Sequence, residues 1–130
     1  LGPVNTAAVH ALSYPLGSMF HLAHRLSNAL LLPYVMEYNY VAAPRKYAEV
    51  ALALGCNKQE TDEETALAGI AKVRELISDC GLPARLRDLD IPQDAIQQMA
   101  EDALKITRLL INNPREISLP DAITIFNASY

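Results

Sequence analysis

Residues Ala7–Pro33, AAVHALSYPLGSMFHLAHRLSNALLLP, hold the whole chain's histidines, His10, His21 and His24, inside an otherwise apolar run. Apolar residues surround positions 10 and 24 without a clean polar face, the pattern of central, surrounded helices. Pro15 and Gly17 stand between the two, and such residues end or kink helices. The segment therefore reads as two helices, about Val4–Phe20 and Leu22–Tyr40, with Pro15 and Gly17 interrupting the last turns of the first. Pro33 implies a bend or break in the second.

That turn matters for chemistry. On one straight helix, fourteen residues separate two imidazoles by roughly 21 Å. A hairpin instead brings both to one ion, at bonds of about 2 Å. His21 and His24, at i and i+3, would share a helix face. A buried imidazole also needs a hydrogen-bond partner, so core histidines are the plain alternative. Two histidines do not complete a site, since iron usually adds a carboxylate. No Asp or Glu occurs in the first 36 residues, and Glu37 or Asp121 would be distant candidates.

The rest of the chain is more amphipathic. PRKYAEVALALG (44–55) opens on proline and closes on glycine, as helices do. TDEETALAGIAKVRELISDCG (61–81) has acids in its first turn, with Leu67, Ile70, Val73, Leu76 and Ile77 as its expected apolar face. A helix over 92–111 would bury Ile96, Met99, Ala103, Ile106 and Leu110. SLPDAITIFNASY (118–130) begins with Ser118 followed three residues on by Asp121, a capping-box-like start. No period-2 run or hairpin turn signals a strand. The fold class expected is all-α, a bundle-like single domain over 1–130 with about six helices.

Composition narrows the function classes. With 130 residues, 51% hydrophobic, the chain can fill a core, and some apolar surface could also face another domain. Net charge of −4 and no basic stripe argue against a nucleic-acid partner. No run is long enough to span a membrane. Cys56 and Cys80 form no Cys-x-x-Cys pair and suit free thiols in a cytoplasmic protein. The first residue, Leu1, is not methionine, which points to residues upstream.

The stretch AAVHALSYPLGSMFHLAHRLSNALLLPYVMEYN (7–39) resembles the second signature of the iron-containing (group III) alcohol dehydrogenases. The resemblance continues through PRKYAEVALALG, LPARLRDLDI (82–91) and NNPREISLPDAITIFNASY (112–130), so it covers essentially the whole chain. It implies the C-terminal part of a dehydroquinate synthase-like architecture, in which a nucleotide-binding α/β domain precedes a helical metal domain. An aspartate and a histidine from earlier in that helical domain would complete the site.

By carry-over, His10 and His24 match the third and fourth metal ligands, for Fe²⁺ or alternatively Zn²⁺. Tyr14 stands where many members have a histidine beside the nicotinamide, and is the catalytic candidate. A tyrosine can hydrogen-bond an alcohol or relay a proton, although a pKa near 10 makes it a poor base. Arg25 replaces a glycine of the pattern. His21 has no role to carry over and reads as a packed core residue. Asn28 shares a face with His24, either orienting that ring or packing against its neighbours.

The implied activity is hydride transfer between a small alcohol and its aldehyde or ketone, using NAD or NADP held mainly by the upstream domain, in a homodimer. No Gly-x-Gly-x-x-Gly loop occurs in these residues. The alternatives are a non-catalytic helical interaction module, a zinc-dependent glycerol dehydrogenase-like relative, or a maleylacetate reductase-like one.

Overall fold

A computed structural model describes residues 3–106, 110 and 113–130, with side chains from Ala8 onward. Six α-helices are present among them: α1 Pro3–Phe20, α2 His24–Asn39, α3 Pro44–Ala53, α4 Asp62–Asp79, α5 Ile96–Leu104 and α6 Leu119–Ser129. Short 3₁₀ turns cover Tyr40–Ala42, Leu86–Leu89 and Gln93–Ala95, and no strand occurs among the described residues. The all-α expectation holds.

The helices enclose two apolar clusters. The larger takes Val9, Leu12 and Leu16 from α1, Leu30, Leu31 and Val35 from α2, Met99 and Ala103 from α5, and Ile125 and Phe126 from α6. The smaller joins Met36 of α2 to Tyr47 of α3 and to Ala66, Ile70 and Val73 of α4. Helix α2 thus serves both cores, which explains why it lacks a polar face. The C-terminal end of α2 is tied down by a reciprocal amide pair, Asn39 and Asn113, each donating Nδ2 to the other's Oδ1 at 2.8 Å. Asn39 is fully buried, so this pairing satisfies groups that would otherwise be costly to bury.

Local chemistry sets most boundaries. Thr61 caps α4 by accepting from the Glu64 amide at 3.1 Å, and Pro44 occupies the first turn of α3. Ser118 and Asp121 form the full reciprocal capping box of α6. Gly55 and Gly81 follow α3 and α4 at φ 91° and 72°, a region glycine enters without steric cost. Their turns let Cys56 and Leu82 donate back to the carbonyls of Ala51 and Ile77. Cys56 and Cys80 are both free thiols.

Four expectations need correction. Helix α1 runs unbroken through Pro15 and Gly17 to Phe20, and α2 runs unbroken through Pro33. Both prolines are buried in helices held by the core, where packing outweighs one missing hydrogen bond. The reversal falls at His21, a non-glycine residue with φ 58°. There His21 and Leu22 donate to the otherwise orphaned carbonyls of Gly17 and Leu16.

The apolar face assigned to α4 was too wide. Leu67 and Leu76 are nine residues apart, about 180° around a helix of 3.6 residues per turn. They cannot share a face, and both are exposed while Ala66, Gly69, Ile70 and Val73 are buried. Finally, Pro92 does not open a long helix: a 3₁₀ turn precedes α5, which ends at Leu104. Of the last part of the expected 92–111 helix, 107–109 and 111 lie outside the described residues. Ile96, Met99 and Ala103 are buried as expected.

Candidate metal centre

The hairpin of α1 and α2 puts His10 and His24 face to face. His10 Nδ1 and His24 Nε2 lie 3.0 Å apart, the ring centroids 4.9 Å apart, and the ring planes only 10° from parallel. Each residue is placed by its helix. Val9 and Leu12 anchor the first against the core around His10, and Ser27, Leu30 and Leu31 do the same for α2. His10 is half-buried and His24 exposed, so the paired nitrogens are not sealed inside the core.

Two nitrogens at this separation fit one cation. Ligands about 2.1 Å from an ion and at right angles to each other are roughly 3.0 Å apart. The pair accounts for two ligands and no more. Among the described residues no group of three His, Cys, Asp or Glu side chains could hold an ion. Glu37 and Asp121, the two distant carboxylate candidates, are engaged elsewhere. Glu37 accepts from Arg74 at 2.6 Å, and Asp121 caps α6, its acidity strengthened by the backbone and hydroxyl of Ser118.

The remaining candidates separate cleanly. Tyr14 is one turn beyond His10 on α1 and 56% exposed, so its ring does not fill the core. Arg25 is exposed in the first turn of α2, next to His24. His21 is also exposed, which overturns the expectation of a packed core histidine; its position is a backbone one, at the reversal. Asn28, one turn beyond His24, places Nδ2 3.0 Å from His24 Nε2 and 3.5 Å from His10 Nδ1. Its i+4 spacing from His24 is visible in the sequence, but its approach to His10 depends on the hairpin.

Residues 1–130 match the model of the Fe-containing alcohol dehydrogenase family, C-terminal. The chain belongs to the iron-containing alcohol dehydrogenase family. It is 37% identical over 125 residues to long-chain-alcohol dehydrogenase 1 of Geobacillus thermodenitrificans, covering 95% of this chain and 32% of that protein. With 1,3-propanediol dehydrogenase of Klebsiella pneumoniae it shares 35% identity over 127 residues, 97% of this chain and 33% of the relative. The crystal structure of a 1,3-propanediol oxidoreductase superposes with a TM-score of 0.90 at 35% identity, over 95% of this chain and 32% of the other. The chain therefore spans about a third of the length of these relatives. No described helix is long and apolar enough to cross a membrane.

Proposed function

We propose that residues 1–130 supply two metal ligands, His10 and His24, to a longer alcohol dehydrogenase that exchanges hydride between a small alcohol and a nicotinamide cofactor. The observation that carries this reading is the 3.0 Å convergence of His10 Nδ1 and His24 Nε2. Family membership and relatives named for long-chain alcohols and propanediol support it.

On this reading a divalent ion, iron by the family's description, supplies Lewis-acid stabilisation of the substrate oxygen when bound. His10 and His24 act as neutral imidazoles, each presenting a lone pair to the same point from a different helix. Further ligands and the nicotinamide come from residues outside this chain. The exposed Tyr14 hydroxyl, one turn from His10, hydrogen-bonds the alcohol oxygen and passes its proton toward solvent.

The test is anaerobic titration of the full-length protein with Fe²⁺ and Zn²⁺, beside its His10→Ala and His24→Ala variants. Removing an outer partner of a metal site costs 10–100-fold in affinity, and removing a ligand should exceed ~100-fold. Both variants should lose metal and turnover together. Retention of the metal by both would overturn the assignment.

A further inference from the structure

We infer that Arg25 selects substrates that carry a carboxylate, holding that anion while the hydroxyl end of the same molecule reacts beside His10 and His24. The inference rests on the function proposed above and names the substrate class of that site: a short hydroxy acid rather than an uncharged alcohol.

Charge is the first observation. Residues 1–36 contain one Lys, Arg, Asp or Glu, and it is Arg25. Its side chain is exposed and has no ion-pair partner among the described residues. Arg45 and Arg74, by contrast, pair with Glu49 and Glu37.

Location is the second. Helix α2 starts at His24, so Arg25 lies in its first turn. The amides of a first turn already carry partial positive charge, and an arginine there works against stability. No acidic residue sits in that turn, and Ala23 supplies no side-chain cap, so nothing local offsets the repulsion. Helix α6 shows the stabilising arrangement, with Asp121 in the corresponding turn. Folding alone gives no reason for a cation at position 25.

Direction is the third. At about 100° per residue, Asn28 stands roughly 40° from His24 around α2 and roughly 60° from Arg25. Asn28 Nδ2 reaches both imidazoles, at 3.0 and 3.5 Å. Arg25 therefore borders the side of α2 that faces the histidine pair. On α1, the exposed Tyr14 stands one turn beyond His10.

A guanidinium on a long stem donates two parallel N–H bonds to a carboxylate. In the reaction the hydroxyl-bearing carbon gives a hydride to the nicotinamide, the hydroxyl proton leaves to solvent, and an aldehyde forms. The carboxylate is unchanged throughout and serves as a handle. The relative named for 1,3-propanediol suggests the probe pair. In 3-hydroxypropanoate a carboxylate replaces one hydroxymethyl group of that diol.

The test compares 3-hydroxypropanoate with 1,3-propanediol in the full-length protein loaded with Fe²⁺, beside Arg25→Gln and Arg25→Lys. The wild type should oxidise the acid with the higher kcat/KM. Arg25→Gln should lower kcat/KM for the acid at least ~10-fold more than for the diol, mainly through KM, as befits a lost hydrogen bond to a charged group. Arg25→Lys should keep part of the preference, because it retains the charge and loses the fork. Calorimetry without nicotinamide should rank the three proteins in the same order of affinity for the acid. An acid-to-diol ratio left unchanged by Arg25→Gln would overturn this inference alone, as would a wild type that favours the diol. So would a wild type that turns over neither compound while His10→Ala and His24→Ala lose the metal. Metal retained by both histidine variants would overturn the proposed function, and this inference with it.

Discussion

Replacing Gly69 with alanine should destabilise the domain even though alanine is the better helix former. Gly69 lies in the middle of α4 where that helix meets α3. A Cβ built on it would stand 2.6 Å from Ala51 Cβ and 2.9 Å from Ala51 Cα. Carbon atoms pack at about 3.5–4.0 Å, so the two helices would have to part by roughly 1 Å. Ala51 is wholly buried and one of the two contacts is backbone, so no side-chain rotation relieves the clash. Separation would loosen Tyr47, Ala66, Ile70 and Val73 together.

Overpacking of this kind costs about 1–3 kcal/mol, and a contact with backbone belongs at the upper end. The gain in helix propensity returns about 1 kcal/mol. The expected net loss is therefore about 1–2 kcal/mol, read as a urea midpoint lower by roughly 0.5–1 M at an unchanged slope. Far-ultraviolet circular dichroism of the chain in urea measures it. Adding Ala51→Gly removes the nearer contact and should restore part of the loss, giving a favourable coupling in the double-mutant cycle. A Gly69→Ala chain as stable as the wild type, or more so, would refute the close-approach argument.

Two further expectations concern the C-terminal helix and its neighbour. Ser118→Ala should cost about 1 kcal/mol through loss of the cap, and the Asp121 titration midpoint, followed by carboxyl NMR, should rise toward the ordinary carboxylate range. Because Asp121 is more acidic in the folded chain, its contribution is present above its unfolded pKa near 3.8 and is lost as pH falls through the lower folded value. Tyr38 should ionise only at about pH 12, pushed up first by burial and then by the neighbouring Asp121 carboxylate. Its stabilising effect is whole below pH 10 and disappears between there and about pH 12. Ultraviolet titration of the phenols checks this, and Tyr38→Phe should remove a step near pH 12.

What could be read from the sequence, and what could not, follows the range of the forces involved. Caps and stops are local, so Ser118 with Asp121, Pro44, Gly55 and Gly81 announced their roles correctly. The meeting of His10 and His24 was legible because hairpins are also nearly local. Its hinge was misplaced, since core burial of Pro15 overrode a propensity rule and pushed the reversal to His21. The pairing of Glu37 with Arg74, 37 residues on, left no sequence trace at all. Asn28 shows both limits: its spacing from His24 is local and visible, while its approach to His10 exists only once the two helices pack.

The short reversal at 21–23 has a consequence for how this centre tolerates change. An α-helix advances about 100° and 1.5 Å with each residue. The rotation of each imidazole is therefore fixed by its register to the core residues of its own helix, Val9 and Leu12 for His10 and Leu30 and Leu31 for His24. The non-helical residues 21–23 carry no such register, so a change there alters the path between the helices and not the phase of either ring. Shifting either histidine by one position along its own helix would turn its ring about 100° away from the other.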